Sequence, residues 1–384
     1  MKHCIIVSDS FKGTLTSKEI CDIARKQIHA VFPACRVTAI SVADGGEGTV
    51  DSLLAICGGQ KVAVETTGPF GESITAYYGR LDGATAAIEM AAAAGLPLAE
   101  GRLEPGLATT YGVGTLIAHA VDAGAKEIIL GLGGSCTNDA GVGCAAALGA
   151  RFLDAQGMAF LPNGATLSRI REIDLTGLRR RLKGVRITAM CDIQNPLYGP
   201  SGAAYVFAPQ KGADPEMVRM LDEELRAFEA IVHKKLGFVL EGISGAGAAG
   251  GFGAGCVALM GGRLRSGIDV ILDLAHFDEK LGNCQLVITG EGRIDGQTAG
   301  GKTISGIARR TKAKGVPLIA IAGEIADDAD CVYALGVTAM FSINRKALPF
   351  SESRGQSAEN YSRTLRDILQ MLRAAESISL APHS

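Results

Sequence analysis

Short apolar runs that end in glycine-rich acidic loops, each followed by a segment with helical spacing, constrain this fold more than any other feature of the chain. Residues 3–8 lead into such a loop at 9–13, and residues 37–42 lead into another at 44–48. Apolar residues at helical spacing follow the first loop at 17–31. This alternation of strand, loop and helix is typical of a parallel sheet with covering helices.

The same alternation returns towards the C-terminal end, whereas the middle of the chain begins with a predicted hairpin around Asp82-Gly83. We therefore predict an α/β fold with two α/β domains. A Rossmann-like parallel-sheet domain is built from both chain ends, residues 1–66 and 270–384. A second α/β domain, residues 67–269, is inserted into it, with the active site in the cleft between the two.

The net charge and the glycine content limit the classes of function that this chain can have. The chain has 38 Lys and Arg against 40 Asp and Glu, so it has no basic surplus with which to neutralise a nucleic-acid backbone. Glycine accounts for 51 of the 384 residues, about 13% against a usual value of roughly 7%. Glycine lets backbone N–H groups approach a ligand closely. We expect no nucleic-acid binding, and we expect loops that handle phosphate or another polyanion.

Nothing in the sequence predicts export or a membrane span. The N-terminal apolar run meets Asp9 after four residues, and the uncharged stretch 242–262 contains nine glycines, which disfavour a helix in lipid. The ten cysteines have no CxxC spacing. We expect a cytoplasmic protein with reduced thiols.

Two short motifs, each taken by itself, would indicate a nucleotide-binding site. Residues 296–303 match G-x4-G-K-[ST], and residues 245–250 match G-x-G-x-x-G. The first is interpreted as a glycine-rich turn whose following helix could bind an anion. The second is interpreted as tight packing of small residues, with a dinucleotide site as the alternative.

Acidic side chains follow the apolar runs in glycine-, serine- or threonine-rich loops. They are Asp9, Asp44, Glu47, Asp139, Asp192, Glu291 and Asp295, and the cations of the same loops are Lys12, Lys211, Arg293 and Lys302. Phosphoryl transfer needs carboxylates to hold Mg²⁺ and to accept a hydroxyl proton, and it needs cations on the phosphates. The set therefore favours phosphoryl transfer.

Nine ordered stretches, covering about residues 3–372, resemble the class I glycerate kinase family of the glycerate 2-kinase type. They are Asp9-Ser-Phe-Lys-Gly13, Ala43-Asp-Gly-Gly-Glu-Gly-Thr49, Glu89-Met-Ala-Ala-Ala93, Thr109-Thr-Tyr-Gly112, Gly133-Gly-Ser-Cys-Thr-Asn-Asp139, Cys191-Asp-Ile-Gln-Asn-Pro-Leu197, Phe207-Ala-Pro-Gln-Lys-Gly212, Gly245-Ala-Gly-Ala-Ala-Gly-Gly251 and Thr289-Gly-Glu-Gly-Arg-Ile-Asp-Gly-Gln297. The chain departs from the family pattern at Ser8, Cys136 and Ala140, which affects loop shape rather than the chemical groups.

The resemblance implies a kinase that uses ATP and Mg²⁺ to phosphorylate D-glycerate, commonly at the 2-hydroxyl, giving 2-phosphoglycerate and ADP. It also implies two α/β domains with a cleft between them. We expect a monomer or homodimer. The alternatives are an NAD(P)-dependent dehydrogenase of a small hydroxy acid and a non-enzymatic hydroxy-acid binding protein.

The expected roles divide into four groups. The catalytic candidates are Asp192 and Asp139, either of which could accept the substrate proton, and Lys12. The substrate-binding candidates are Asp9, Ser10, Asp44, Glu47 and Arg293, of which Arg293, or else Lys12, would meet the glycerate carboxylate. The nucleotide-binding candidates are Gly133, Gly134, Ser135, Thr137, Asn138, Lys211 and Lys302. The metal-binding candidates are Glu291 and Asp295.

Overall fold

The chain divides into two compact units, each with its own sheet. The computed structural model describes residues 1–43, 45–300, 303–346 and 348–379. The terminal unit comprises Met1–Ala43 and Ile268–Ser384, and the central unit comprises Asp44–Gly267. The predicted α/β fold, with one unit built from both chain ends and a second inserted, is confirmed.

The strands are numbered in chain order. They are β1 His3–Ser8, β2 Arg36–Ser41, β3 Gln60–Thr67, β4 Ser73–Arg80, β5 Thr85–Glu89, β6 Glu127–Gly131, β7 Arg151–Leu153, β8 Ala159–Phe160, β9 Glu172–Asp174, β10 Arg186–Met190, β11 Arg263–Arg265, β12 Leu286–Ile294, β13 Leu318–Ile325 and β14 Ala339–Ser342.

The α-helices are numbered likewise. They are α1 Ser17–Val31, α2 Thr49–Cys57, α3 Ala91–Ala94, α4 Tyr111–Asp122, α5 Val142–Ala147, α6 Thr176–Arg181, α7 Ala203–Phe207, α8 Pro215–Leu236, α9 Ala248–Ala258, α10 Gly267–Leu274, α11 Phe277–Leu281, α12 Thr303–Ala313, α13 Cys331–Leu335, α14 Phe350–Ser353 and α15 Ser357–Ser379. No described helix is both long enough and apolar enough to cross a membrane.

The sheet of the terminal unit is entirely parallel, in the order β14-β13-β12-β1-β2. Strand β1 therefore lies beside β12, which comes almost 300 residues later in the chain. From this central pair, the chain connects β1 outwards to β2 on one side and β12 outwards to β13 and β14 on the other. In open α/β sheets, ligands bind at the carboxyl ends of the strands where the direction of the connections reverses in this way. Helices α1 and α15 contribute Ile20, Ile28, Tyr361 and Leu365 to the core on one face.

Strand β12 is longer than the sequence predicts. The apolar run predicts a strand at 285–289 and a long polar loop at 290–301, but β12 continues to Ile294. The difference arises because β13 pairs with it as far as Ile294 opposite Ile325. Glycines interrupt the apolar pattern in this part of β12, so the local sequence does not predict a strand. Pairing with β13 maintains the strand nevertheless.

The central unit has a six-stranded sheet in the order β11-β10-β6-β5-β4-β3. Strands β5, β6, β10 and β11 run parallel, while β3 and β4 form antiparallel pairs. The predicted boundary after residue 66 is corrected, because β3 pairs along its whole length with β4 and so belongs to the central unit. The second boundary, predicted at 269/270, falls at 267/268.

Candidate functional site

A cavity of about 260 Å³ opens at the carboxyl edge of the central sheet, where β6 and β10 end. Its lining is mainly apolar, with a few polar groups that converge on it. The lining residues are Leu96, Leu132, Gly133, Gly134, Ser135, Met190, Cys191, Asp192, Ile193, Phe207, Gln210, Lys211, Ala248 and Ala249. This combination is typical of a small-molecule site.

Lys211 is the buried cation of this cavity, with only 2% of the residue exposed. Its Nζ atom donates to the Ser135 hydroxyl oxygen at 2.9 Å and to the Thr137 carbonyl oxygen at 2.6 Å. Burial lowers the pKa of the amine to about 8. The geometry holds a positive charge against the loop that follows β6, where it could meet an anion.

The loop 133–139 presents backbone to the cavity and buries its later side chains. Gly133, Gly134 and Ser135 line the cavity, whereas Thr137 and Asn138 are fully buried. Within the described residues, the Thr137 hydroxyl and both amide atoms of Asn138 have no hydrogen-bond partner. The structure therefore groups Gly133, Gly134, Ser135 and Lys211 as the sequence predicts, but it places Thr137 and Asn138 behind them.

Asp139 anchors two helices from inside the protein. It is fully buried and accepts hydrogen bonds from the Thr110 amide and hydroxyl, both at 2.8 Å, and from the amides of Gly141 and Gly143. These donors belong to the N-terminal ends of α4 and α5. Burial raises the pKa of Asp139, and the four donors act in the opposite direction. Asp139 is not among the cavity-lining residues, which suits a positioning role better than the predicted role of proton acceptor.

Asp192, by contrast, is exposed and lines the cavity directly after β10. Its Oδ1 atom accepts a hydrogen bond from the Ser266 hydroxyl at 3.0 Å and from the Gly267 amide at 2.8 Å. These two donors hold the carboxylate at the cavity, and one of them, Gly267, is the first residue of α10. Asp192 and Asp139 occupy similar places in the sequence, yet only Asp192 is accessible to a ligand.

The loop before α2 packs against the same strand exits. The Gly133 amide donates to the Gly45 carbonyl oxygen at 2.9 Å. Glu47 is exposed at the tip of this loop. Asp44 lies outside the described residues.

In the terminal unit, Asp9 directly follows β1 and lies beside Gly290 of β12, which is followed in the same strand by Glu291. The Asp9 amide donates to the Gly290 carbonyl oxygen at 2.9 Å, and the Asp9 carboxylate accepts from the Ser10 amide and the Thr303 hydroxyl. Glu291 is buried and accepts from the Thr298 hydroxyl at 2.6 Å. These groups meet where the order of the parallel sheet reverses, the usual ligand position in such sheets.

Arg293 and Asp295 follow on the same strand. The Arg293 side chain is 56% exposed, and its guanidinium lies 3.5 Å from carboxylate oxygens of both Asp295 and Glu324. The other Asp295 oxygen accepts from the Gln297 amide at 2.9 Å. Among the described residues, no group of three His, Cys, Asp or Glu side chains is placed to hold a metal ion. Both oxygens of Asp295 are engaged, which makes it a poor metal ligand.

Lys12 is exposed and lines a second cavity, of about 290 Å³, at the carboxyl edge of the terminal sheet. Gly292, Glu324 and Asn344 contribute to the same cavity. Lys302 lies outside the described residues, as does Gly301, so the G-x4-G-K-[ST] stretch is described only to Gly300 and again at Thr303. Residues Gly296–Gly300 form a 3₁₀ turn.

The G-x-G-x-x-G stretch packs tightly, as its small residues predict. No strand leads into it, and a Cβ added to Gly250 would lie 2.2 Å from the Thr137 carbonyl oxygen. The segment therefore covers the loop 133–139 from behind. Sequence reasoning missed the apolar wall of the cavity, Leu96, Leu132, Met190, Ile193 and Phe207, because no spacing pattern unites these residues.

Comparison with known proteins adds independent findings. A family model described as "Glycerate kinase family" matches residues 4–373. A glycerate kinase of Bacillus subtilis (strain 168) is 43% identical over 378 residues, which cover 98% of this chain and 99% of that protein. The glycerate 2-kinase of Escherichia coli (strain K12) is 41% identical over 371 residues, covering 96% and 97%. The crystal structure of a protein assigned as glycerate kinase 2 from Salmonella typhimurium LT2 superimposes with a TM-score of 0.85 at 39% identity, covering 98% of this chain and 99% of that one.

Proposed function

The chain belongs to the glycerate kinase family and is an ATP-dependent phosphotransferase with an alcohol acceptor; from that premise we propose that its acceptor is D-glycerate and its products are 2-phosphoglycerate and ADP. The observation that carries this proposal is the buried Lys211 amine, held beside the glycine loop at the open edge of a parallel sheet. A fixed cation in a largely apolar cavity suits the charged phosphates of a nucleotide.

The cavity of the central unit is our proposed ATP site. Its apolar wall supplies a surface for a nucleobase, and Lys211 supplies a positive charge for the phosphates. The backbone of Gly134 and Ser135 lines the same cavity, where glycine lets the main chain approach a phosphate closely, whereas the Gly133 amide is already bonded to the Gly45 carbonyl oxygen. Lys302 remains a candidate for a second phosphate contact.

Asp192 is our proposed proton acceptor. Its Oδ1 atom is fixed by Ser266 and Gly267, so the carboxylate is held at the cavity and needs little reorganisation before it acts. Accepting the hydroxyl proton lets the substrate oxygen attack the γ-phosphorus while the bond to ADP breaks. Asp139 supports this region by holding the start of α4 and α5.

Mg²⁺ in kinases is held by substrate phosphates, water and one or two carboxylates, and it neutralises the charge that develops on the phosphoryl group. Glu291 and Asp295 are the candidates for this role. Each already accepts a hydrogen bond, Glu291 from the Thr298 hydroxyl and Asp295 from the Gln297 amide, and Asp295 also pairs with Arg293.

The substrate carboxylate is assigned to Arg293, with Lys12 as the second candidate, since a charge-assisted hydrogen bond would fix its orientation. Asp9, Ser10, Asp44 and Glu47 are candidates for the hydroxyl groups of glycerate. A cytoplasmic location and a monomeric or dimeric state stay predictions.

A coupled ADP-release assay with D-glycerate tests the function directly. We expect ATP- and Mg²⁺-dependent ADP release, and ³¹P NMR of the product should show a phosphate ester at the 2-position. A 3-phosphoglycerate signal would overturn only the regiochemistry. Absence of ADP release, together with tight NAD(P) binding in a fluorescence titration, would favour the dehydrogenase instead.

A further inference from the structure

Glu89, the last residue of β5, reaches across to the start of α2. Its Oε1 atom accepts a hydrogen bond from the Val50 amide at 2.6 Å. Val50 is the second residue of α2, whose N-cap residue, Gly48, provides no side-chain cap. The first amides of a helix need acceptors from outside the helix, and a carboxylate there also interacts favourably with the helix dipole. Glu89 therefore caps α2 from a different element.

The helix that Glu89 holds continues directly from the loop at 45–48. The Thr49 hydroxyl donates to the Gly46 carbonyl oxygen at 2.7 Å, so the loop is closed onto the first turn of α2. Val50 itself is buried, which leaves this end of the helix little freedom.

That loop in turn touches the backbone of the cavity. Besides the hydrogen bond between Gly133 and Gly45, the two main chains are in close contact. A Cβ on Gly133 would lie 2.6 Å from the Gly46 Cα atom, and a Cβ on Gly131 would lie 2.4 Å from the Gly45 carbonyl oxygen. Gly133 lines the proposed ATP cavity. Two backbones packed this tightly cannot shift independently.

The starting point of the chain of contacts is equally fixed. Glu89 is paired in register with Gly131 on the neighbouring strand β6, and the Met90 amide donates to the Gly131 carbonyl oxygen at 2.9 Å. Glu89 and Gly133, the first and last residues of this series of contacts, therefore both lie where the paired strands β5 and β6 end. Glu89 closes a ring that runs through Val50, the loop at 45–48 and Gly133.

We propose that Glu89 is a positioning residue of the phosphoryl-transfer site: by holding α2 and the loop at 45–48, it fixes the Gly133 backbone against which the nucleotide phosphates lie. This inference rests on the proposed function for its kinetic consequence. Its structural content, the coupling from Glu89 to Gly133, does not depend on the identity of the acceptor.

The test compares Glu89→Ala, Glu89→Asp and Glu89→Gln with the control Glu65→Ala. Glutamine keeps a carbonyl oxygen at the same reach, whereas aspartate keeps the charge on a side chain one methylene shorter. Glu65 lies on β3 of the same sheet, is exposed, and accepts a hydrogen bond from the Thr75 hydroxyl. We expect kcat/KM to fall about 10- to 100-fold in the Ala and Asp variants, since a displacement near 1 Å at a site has that effect. Gln should restore most of the activity, and Glu65→Ala should match the wild type.

Hydrogen–deuterium exchange supplies the readout that a general loss of stability would not give. In Glu89→Ala and Glu89→Asp, exchange should quicken at 45–57 and at 131–135 while α8 and the terminal sheet stay at wild-type rates. Equal exchange in all variants, or a Gln variant as impaired as Ala, would overturn the proposal. So would quickened exchange throughout the chain with unchanged kcat/KM per folded molecule. If the wild type shows no glycerate kinase activity, the proposed function fails, but the exchange experiment still decides the coupling.

Discussion

The Nζ atom of Lys211 lies 2.6 Å from the carbonyl oxygen of Thr137, with the lysine almost fully withdrawn from solvent. A buried ammonium group needs acceptors, and here the main chain of the phosphate-binding candidate loop provides one of them. The contact joins a side chain of the stretch 207–212 to the backbone of the loop 133–139.

Replacing Lys211 by Met should weaken nucleotide binding about 10- to 100-fold, because a hydrogen bond to a charged group contributes about 1.5–3 kcal/mol. Isothermal titration with ADP measures the change. Lys234→Met, an exposed position on α8, is the matched control and should bind as the wild type does. Unchanged affinity in Lys211→Met would remove this lysine from the nucleotide site.

The titration of Lys211 should also be visible in stability. Burial lowers its pKa from 10.5 to about 8, so between these pH values the unfolded chain binds more protons than the folded one. The contribution of Lys211 to the free energy of unfolding should therefore rise with pH over that window and be least favourable below pH 8. Denaturant titrations of the wild type and Lys211→Met from pH 7 to 10.5, without nucleotide, give the difference. A difference that stays constant with pH would contradict the lowered pKa.

Asp192→Asn should lower kcat about 10²- to 10⁴-fold at saturating substrates, the usual effect of losing a general base. The Asn carbonyl oxygen can still accept from Ser266 and Gly267, so the fold should persist. Asp214→Asn is the control, because Asp214 likewise accepts helix amides, at the start of α8, and does not line the cavity. A turnover within a few-fold of the wild type for Asp192→Asn would exclude it as the base.

Gly133→Ala tests the close approach of the two backbones. The added Cβ would meet Gly46 at 2.6 Å, so we expect a loss of about 1–3 kcal/mol in unfolding free energy and a lower kcat/KM. Thermal unfolding and steady-state kinetics measure both. Gly355→Ala, where nothing lies within 4 Å, should be close to neutral. A stable and fully active Gly133→Ala would show that the loop can move away without consequence.

Arg293→Ala should raise the KM for D-glycerate more than the KM for ATP, because the guanidinium is assigned to the substrate carboxylate. Arg186→Ala removes another exposed arginine, one that pairs with Glu127, and should leave both constants unchanged. A normal KM in Arg293→Ala, with a raised one in Lys12→Ala, would transfer the assignment to Lys12.

Several elements were predictable because their signals are local. Helix α1 begins where Thr16 and Glu19 form a reciprocal capping box and ends at Val31, as its apolar spacing indicates. The β4–β5 hairpin likewise follows from alternating residues around Asp82-Gly83. The length of β12 and the assignment of β3 to the terminal unit were predicted wrongly. Both features depend on pairing with a neighbouring strand rather than on the residues of the strand itself.

The candidate site shows the same division. The sequence identified acidic and cationic residues in the loops after strands, since composition and order are visible in the chain itself. It could not separate Asp139 from Asp192, because both follow an apolar run in a polar loop.

By itself, therefore, the sequence determined the α/β class, the insertion of one unit into another, the family, and the loops that carry the charged groups. Only the tertiary structure decided that Asp139 is enclosed by four donors, that Asp192 faces a cavity, and that Glu89 caps a helix 39 residues away in the chain. The reason is physical. Secondary structure and capping depend on neighbours within a few residues, whereas burial and hydrogen-bond partners depend on segments that meet only after the chain has folded.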